Sequence, residues 1–266
     1  MTTLTDYRKR VGGVLLALLL ASGCASTAET GTSNDPLESY NRVMFDINNR
    51  IDKAVLKPVA QGYQTITPQP VNDSVSNFFS NLGDVVVLAN DLLQLKFEQA
   101  AMDTSRIVYN STFGVLGMFD VASSMDLPKH NEDFGQTLGY WGVGEGYYLV
   151  LPLLGHSTTR DAPALIPDAL IAPLSQVQSP TQEIMRTVDV IDTRAGLLRV
   201  ERAFSDAALD PYAFQREAYL QRRRSLVHDG NPPRPAFDDE FEDRPPFDDE
   251  YDDRPPFEDD VDDAVE

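Results

Sequence analysis

The chain has 266 residues, enough for one large domain or two small ones, and 42% of them are hydrophobic, which is ordinary for a globular protein. Its formal net charge of -20 argues against nucleic acid as a partner, because phosphate binding needs a basic surface. The charge is unevenly placed: residues 232–266 hold 16 acidic groups and three arginines, a balance of -13, which leaves -7 for residues 1–231. The body is therefore mildly acidic, and the C-terminal segment is the extreme part.

The N-terminus has the pattern of a secretion signal. Basic residues 8–10 precede "VGGVLLALLLASG", an apolar stretch that is too short to span a bilayer as a helix. It ends at Cys24, the only cysteine, which has no second cysteine for an internal disulfide. The small residues 21–23 before it resemble a lipobox, although Leu20 lies one position further from the cysteine than is usual.

We therefore expect a lipoprotein signal peptide at residues 1–23 and a lipid on the sulfur of Cys24, which becomes the first residue of the mature chain. Two or more buried acyl chains are sufficient for stable membrane anchoring. The alternative is an ordinary signal peptide with an incidental buried cysteine. Residues 24–34 are small and polar, and we predict that they form a flexible tether.

A predominantly helical body is predicted for residues 35–230. Its first helix has Asp35 as a plausible N-cap and Pro36 at the first helical position. Apolar residues recur along it at intervals of three and four, which is typical of an amphipathic helix. They are Leu37, Tyr40, Met44, Ile47, Ile51 and Val55. The opposite face carries polar residues that include Asn41, Asp46 and Asn48.

Further helical patterns follow along the body. One helix is predicted to end at Gly83, and the next segment, "DVVVLANDLLQ", is apolar nearly all round, which indicates burial in protein or in lipid. In "KFEQAAMDTSRIVYNSTFG" the residues Phe97, Ala101, Thr104 and Val108 lie in line. Five prolines are expected to cut residues 141–180 into short pieces. A long helical pattern then continues to about residue 226, with breaks near Gly196 and Pro211. Because no stretch shows sustained period-two alternation, we predict an all-α fold.

Two polar clusters could indicate catalysis or metal binding. They are His156, Ser157 and Asp161 in "LGHSTTRD", and His130, Glu132 and Asp133 in "KHNED". The first lacks the G-x-S-x-G elbow, and the second has no recognisable ligand spacing, so that a solvated loop is favoured there. "GVGEG" has neither the lysine nor the preceding strand of a P-loop. We therefore predict no enzymatic activity, no metal and no cofactor besides the covalent lipid.

The segment 231–266 repeats every ten residues as "RPAFDDEFED", "RPPFDDEYDD" and "RPPFEDDVDD". Proline and dense negative charge cannot build a packed core, so the sequence predicts a disordered tail. Two interpretations remain open. The tail solubilises the chain without a partner, or it recruits a basic periplasmic partner with Phe237, Phe247 and Phe257 as anchors.

Several strings of residues 35–172 occur together in one order. They include "DPLESYNRVMFDINNRID", "TPQPVNDSVSNFFSNLGD", "DTSRIVYNSTFGVLGMFDVAS" and "KHNEDFGQTLGYWGVGEGYYLVLPLLG". In these strings the chain resembles the MlaA (VacJ) family of bacterial outer-membrane lipoproteins. The resemblance implies a ring-like helical body embedded in the periplasmic leaflet and held by its lipid and a trimeric porin. It also implies removal of phospholipid that has strayed into the outer leaflet, and delivery to a soluble periplasmic carrier.

With this resemblance, we expect the segment 131–155 to face the membrane or to line a lipid path. Its glycines supply flexibility, its aromatic rings suit the headgroup level, and its apolar end suits acyl chains. The candidates are Trp141, Gly144, Gly146, Tyr147, Tyr148, Leu149, Leu151, Leu153 and Leu154. Asn41, Asp46 and Asn48 are candidates for a polar channel face. The alternative for this segment is a glycine-rich turn that leads into a buried segment of an ordinary helical protein. For the whole chain, it is a non-conducting adaptor lipoprotein that tethers partners at the outer membrane.

Overall fold

A computed structural model of the chain describes residues 35–205 and 210–233. Within these ranges the chain is predominantly helical, as the sequence predicts, and it contains one two-stranded hairpin. The expected signal peptide and tether, with Cys24, lie outside the described residues. So does the tail from residue 234 onward, with Phe237, Phe247 and Phe257.

Eight α-helices are described. They are α1 (Glu38–Ile51), α2 (Lys57–Ile66), α3 (Gln69–Leu93), α4 (Phe97–Thr112), α5 (Phe134–Tyr140), α6 (Asp161–Ile171), α7 (Thr181–Ser205) and α8 (Pro211–Val227). The strands β1 (Tyr148–Leu151) and β2 (Gly155–Thr158) lie between α5 and α6. None of the helices described here combines the length and the apolar content that crossing a membrane requires.

A π-helical turn at Asp52–Leu56 joins α1 to α2 without a break. The wider turn rotates the buried face of the rod, since it adds a residue to the usual helical turn. In α1 the buried residues Asn41 and Phe45 face the hairpin and α8. In α2 the buried Ala60 packs against α7, together with Tyr63. α1 and α2 thus form one continuous helical segment that packs against the hairpin and α8 at its beginning and against α7 at its end.

Two glycines do not end helices as predicted. α3 continues through Gly83, so that the two predicted segments form one helix of 25 residues, and α7 continues through Gly196. A glycine costs only about 1 kcal/mol relative to alanine inside a helix, and packing of the neighbouring turns overrides it. The break near Pro211 is confirmed: α8 begins there, and the side chain of Asp210 caps it by accepting from Tyr212 N at 3.0 Å.

The hairpin is the main departure from the predicted all-α fold. Its strands are antiparallel, with Tyr148 opposite Thr158 and Leu151 opposite Gly155. Along β1, Tyr148 and Val150 are buried, whereas Leu149 and Leu151 are half-buried. All four residues are apolar, so the alternation of a strand cannot be seen in the sequence.

An apolar core lies beneath the hairpin. It consists of Phe45 from α1, Tyr148 and Val150 from β1, and Tyr212 and Leu220 from α8. The ring centroids of Phe45 and Tyr212 are 5.7 Å apart in an edge-to-face contact, which is a favourable arrangement for aromatic rings. We call these five residues the hairpin core. They join the beginning of the body to its last helix.

Candidate functional site

The polar and apolar faces of α4 are inverted relative to a helix on a soluble core. Asp103, Arg106 and Asn110 are buried, whereas Phe97 and Val108 are exposed. A surface helix of a soluble protein buries its apolar stripe and exposes its charged residues. The stripe that the sequence predicts, which includes Phe97 and Val108, therefore exists but faces outward.

α3 is inverted in the same way. Asn81, Asp84, Asn90 and Asp91 are buried, together with Val87. At its C-terminus, large apolar side chains are exposed. They are Leu92, Leu93 and, just after the helix, Leu95. We call the buried polar groups of α3 and α4, with the side chains that bind them, the polar core.

Arg106 of the polar core is bonded to the loop that follows α4. Its Nη1 donates to the carbonyl oxygen of Leu127 at 2.6 Å, and its Nη2 donates to both carboxylate oxygens of Asp120 at 3.1 Å. Burial alone would raise the pKa of Asp120, but hydrogen bonds from Ser123, Asn110 and Arg106 lower it to about 2. Arg106 thereby fastens the loop that follows α4 to the interior of the body.

A second part of the polar core contains two carboxyl groups in contact. Asp91 and Asp103 are fully buried, and neither oxygen of Asp91 accepts a hydrogen bond from a donor of the described residues. Burial and the neighbouring carboxyl of Asp103 raise the pKa of Asp91 to about 7. Asp103 Oδ2 lies 3.0 Å from His130 Nδ1. Nearby, Asp84 binds Lys129. A proton on Asp91 is the simplest way to accommodate this pair.

A rigid apolar turn follows α4. Val115 and Leu116 have φ angles of 52° and 58°, which bulky side chains rarely adopt, and Gly117 continues with 88°. The turn is held by internal backbone hydrogen bonds, for example Gly117 N to Asn110 O at 2.8 Å. Its large side chains are exposed. They are Phe113, Val115, Leu116, Met118 and Phe119. The sequence gives no signal of this surface, because the unusual φ angles fall on residues that do not favour them.

Four of the candidate residues in the predicted membrane-facing segment are exposed and apolar or aromatic: Trp141, Tyr147, Leu153 and Leu154. Leu153 and Leu154, at the tip of the hairpin, are 72% and 71% exposed. The indole N–H of Trp141 donates to the carbonyl oxygen of Leu93 at 3.1 Å. The aromatic loop is thus attached to the apolar end of α3.

The two candidate glycines, Gly144 and Gly146, are also exposed. Gly146 has a φ of 68°, and a Cβ there would lie 2.1 Å from Thr159 Oγ1, so any other residue would clash. Gly144 has open space around it.

The remaining predicted residues of this segment are less exposed. Tyr148 is buried in the hairpin core, so its assignment to a membrane-facing loop is corrected. Its hydroxyl lies 2.5 Å from His156 Nδ1, and burial raises its pKa. Leu149 and Leu151 are half-buried on the other face of β1. Successive residues of a strand point to opposite faces, so the residues of β1 cannot all face the same side. The interpretation of this stretch as one continuous apolar surface did not take that alternation into account.

Asn41 and Asn48 hold the hairpin instead of forming an open polar face. Asn41 Nδ2 donates to the carbonyl oxygen of Tyr148 at 3.0 Å, and its Oδ1 accepts from Val150 N at 2.8 Å. Two turns along α1, Asn48 makes the same pair of bonds to Leu151 O and Leu153 N. Each side-chain amide thus replaces a neighbouring strand at the free edge of β1. Asn41 is fully buried, which excludes it from a channel surface, whereas Asp46 is exposed.

The suspected catalytic residues do not form a relay. His156 contacts Tyr148 and Gln215, whereas Asp161 pairs with Arg160 at 2.8 Å and with Arg223 at 2.9 Å. The oxygen of Ser157 reaches only the adjacent Thr158 O, at 3.5 Å.

The second polar cluster is likewise divided among separate partners. His130 binds Asp103, Glu132 binds Gln94 and Lys96, and Asp133 binds Arg223. The described residues contain no group of three or more histidine, cysteine or acidic side chains arranged to hold a metal ion.

Comparison with known proteins agrees with the resemblance in sequence. A family model described as MlaA lipoprotein matches residues 33–226. The intermembrane phospholipid transport system lipoproteins MlaA of Shigella flexneri and Escherichia coli (strain K12) are each 36% identical over 247 residues, which covers 88% of this chain and 97% of theirs. The protein of the same name from Haemophilus influenzae is 34% identical, over 84% of this chain and 92% of its own.

A solved structure supports the same assignment. It is described as "Structural basis for maintenance of bacterial outer membrane lipid asymmetry", and it aligns with a TM-score of 0.65 at 35% identity. The alignment covers 73% of this chain and all of the other. By sequence over most of its length, and by fold, this chain belongs to the MlaA lipoprotein family.

Proposed function

We propose that this chain is an outer-membrane lipoprotein that removes mislocalised phospholipid from the outer leaflet and maintains lipid asymmetry. The observation that carries the proposal is the inversion of α3 and α4, with charged groups inside and large apolar groups outside. Acyl chains would cover such an exterior, whereas water would not. The relatives' role in intermembrane phospholipid transport supports the same conclusion.

In this proposal the body is a ring that lies in the periplasmic leaflet, anchored by the lipid on Cys24 and held by a trimeric porin. Its internally bonded turn after α4 suits this setting, because a backbone in hydrocarbon must satisfy its own hydrogen bonds. Trp141 and Tyr147 lie at headgroup level, and Leu153 and Leu154 contact acyl chains.

Transport requires no bond to be made or broken, so no residue is assigned a catalytic role. An amphipathic channel through the ring keeps the headgroup solvated while the acyl chains stay near apolar surface. Asn41 and Asn48 hold the hairpin that presents its apolar tip beside this path.

The phospholipid is then passed to a soluble periplasmic carrier, for which we propose the acidic tail as the capture segment. Its charge would steer a basic carrier, and Phe237, Phe247 and Phe257 would supply short-range contacts. Replacing these three residues with alanine should raise the dissociation rate of the purified carrier and change its association rate little. Unchanged dissociation would make the tail a solubilising segment.

A substitution of Leu154 at the hairpin tip tests the transport proposal. Leu154→Arg places a charge where acyl chains are expected, which costs about 2.5–3.5 kcal/mol at the centre of a membrane and less near its surface. In cells that lack the native gene, this variant should leave phospholipid at the cell surface and raise sensitivity to detergent. Leu154→Ala, which adds no charge, should restore asymmetry.

Full restoration by Leu154→Arg would contradict a membrane-facing tip. The competing function is a non-conducting adaptor lipoprotein that tethers partners at the outer membrane. If the chain were such an adaptor, the Leu154→Arg variant would still recruit the porin, and phospholipid would not accumulate at the cell surface.

A further inference from the structure

Most buried ionised groups of the polar core have a partner of opposite charge. Asp84 binds Lys129, Arg106 binds Asp120, and Lys96, at the turn between α3 and α4, binds Glu132 and Asp229. Two carboxyl groups, Asp91 of α3 and Asp103 of α4, instead have one histidine between them. His130 Nδ1 lies 3.0 Å from Asp103 Oδ2, and no cation of the described residues pairs with Asp91. We call Asp91, Asp103 and His130 the Asp–Asp–His trio.

The two carboxyl groups of the trio lack a hydrogen-bond donor. Both side chains are 0% exposed, and they lie in contact with each other. Neither oxygen of Asp91 accepts a hydrogen bond from the described residues, and Oδ1 of Asp103 does not either. A carboxylate can only accept, whereas a protonated carboxyl group donates one hydrogen bond. One proton on Asp91 would therefore supply the missing donor between the two groups.

A proton suits this position better than a larger ligand. The two carboxyl groups have no surface in contact with solvent, so a metal ion or an organic cation has no path to their oxygens. The part of the chain that the structure describes also has no group of three or more histidine, cysteine or acidic side chains placed to hold a metal ion. Burial and the neighbouring Asp103 raise the pKa of Asp91 to about 7, in agreement with a shared proton.

His130 can hold a second proton, and it connects the trio to solvent. Its side chain is 17% exposed, and it forms an ion pair with Asp103 only when the imidazole is protonated. With one proton on Asp91 and one on His130, the trio has no net charge. With neither proton, two negative charges are buried in contact, which is unfavourable.

The trio lies where one segment of the chain joins the two inverted helices. Lys129 binds Asp84 of α3, and the next residue, His130, binds Asp103 of α4. These consecutive residues belong to the segment between α4 and α5, and together they bridge the two helices. Repulsion between ionised Asp91 and Asp103, together with a neutral His130, would weaken one half of this bridge.

We propose that Asp91, Asp103 and His130 form a buried site for two protons, which fastens residues 127–133 to α3 and α4 in acid and loosens them as the pH rises. The site adds a response to acidity that the proposed function does not contain. Because the pKa of Asp91 is raised in the folded chain, the protonated form is favoured below about pH 7 and is lost as the pH rises through that value. The variants that test the site retain the charged and titratable groups around it, which are Asp84, Lys96, Arg106, Asp120, Lys129, Glu132 and Asp229.

Infrared difference spectra of the full chain in detergent test for the proton on Asp91. Between about pH 6 and about pH 9, exposed carboxyl groups stay ionised, so the carbonyl stretch of a carboxylic acid reports on groups with a raised pKa. The unaltered chain should lose part of this band as the pH rises, and Asp91→Asn should lack that part. Asp46→Asn, on the exposed face of α1, is the matched control and should keep it. An unchanged band in Asp91→Asn would overturn the proton site.

Cleavage by trypsin after Lys129 tests the loosening. At about pH 9 the unaltered chain should be cut there at least about 10-fold faster than Asp91→Asn, because each unit of pKa displacement is a factor of about ten in the coupled equilibrium. Cleavage after the exposed Lys53 in the same samples should not differ. Equal rates after Lys129 would show that the proton does not control this segment, and the proposal would be wrong.

His130→Gln tests the second proton without altering the two carboxyl groups. Glutamine keeps a donor for Asp103 but cannot take a positive charge. At about pH 6 this variant should be cut after Lys129 about 2-fold to 10-fold faster than the unaltered chain, since a charge-assisted hydrogen bond is about twice as strong as a neutral one. At about pH 9 the two rates should be equal.

Rates after Lys129 are divided by those of short peptides of the same sequence, so that altered recognition by trypsin cancels. Equal rates of His130→Gln and the unaltered chain at about pH 6 would remove His130 from the site and overturn the two-proton proposal. None of these measurements involves lipid or a partner protein, so the site and the proposed function can fail separately.

Discussion

The hairpin core and the polar core are both buried, but the first consists of apolar side chains and the second of polar and charged ones. In the first, Phe45, Tyr148 and Val150 are buried together as in a soluble protein. In the second, Arg106 and Asp91 are buried while apolar side chains of the same helices point outward. The hairpin core is packed like the core of a protein that is surrounded by water. In the proposed function, acyl chains cover the exposed apolar side chains of α3 and α4.

This difference separates the contacts that stabilise the fold from the surface that contacts lipid in the proposed function. Apolar burial holds α1, the hairpin and α8 together. Hydrogen bonds and ion pairs hold α3, α4 and the loop after α4, which leaves their apolar residues free to contact lipid. Four substitutions test whether the two cores differ in this way.

The largest effect is expected from Arg106→Ala. It leaves Asp120 without its bidentate partner and the carbonyl of Leu127 without its donor, and removal of one member of a buried pair costs about 3–5 kcal/mol. The free energy of unfolding in detergent, measured with urea, should fall by that amount. Val108→Ala, on the exposed face of α4, should change it by less than about 0.5 kcal/mol. Similar losses for the two variants would mean that the faces are not inverted.

Leu220→Ala tests the hairpin core in the same assay. The residue is buried beside Tyr148 and Tyr212, and truncation of a buried leucine costs about 2–5 kcal/mol. Leu170→Ala is the control, since that leucine is exposed on α6. A loss no larger than that of the control would show that the hairpin core is not packed as described.

A smaller loss is expected for Asn41→Ala. The variant removes the hydrogen bonds to the carbonyl of Tyr148 and from the amide of Val150, whose net contribution is about 0.5–1.5 kcal/mol each, or about 1–3 kcal/mol together. Amide hydrogen exchange of Val150 should become faster, whereas Asp46→Ala on the exposed face of α1 should leave it unchanged. Slow exchange in both variants would remove Asn41 from the support of the hairpin.

The fourth prediction is a change of pH dependence in Asp91→Asn. The pKa of Asp91 is about 7 in the folded chain, against about 3.9 for an unfolded aspartate. The folded state therefore binds more protons between these values, and the free energy of unfolding falls as the pH rises from about 4 to about 7. The asparagine keeps the shape and removes this contribution.

The parent and the variant should accordingly differ little near pH 4, and the variant should be the more stable near pH 8. Both retain the ionisable groups around the pair, which are Asp84, Lys96, Asp103, Arg106, Lys129, His130 and Glu132. Parallel pH profiles would show that Asp91 carries no shared proton.

The periodicity of the sequence locates the helices but not the direction of their faces. Phe97 and Val108 define a stripe of the correct period on α4, yet a stripe that faces lipid has the same period as one that faces a core. The placement of Asp103 and Arg106 on the opposite face was the available signal. These two ionisable residues would be expected on that face if it were in water, but they are buried.

Other parts of the site depend on tertiary contacts. Asn41 and Asn48 lie two helical turns apart on one face, a spacing that the sequence does show, but their partners are backbone groups over 100 positions away. Arg223 and Arg224 belong to a run of three arginines that suits the end of a helix. They pair with Asp133 and Glu145, which are distant in the sequence and are brought near them only by the fold.

The most direct test of the inverted exterior uses Trp141, because it is the only tryptophan of the chain and is 64% exposed. Its fluorescence can be recorded for the unaltered protein in bilayers, with brominated phospholipids or aqueous iodide as quenchers. The account predicts strong quenching by the brominated acyl chains and weak quenching by iodide. Strong quenching by iodide and none by the brominated lipid would place the exposed apolar surface in water and contradict the account.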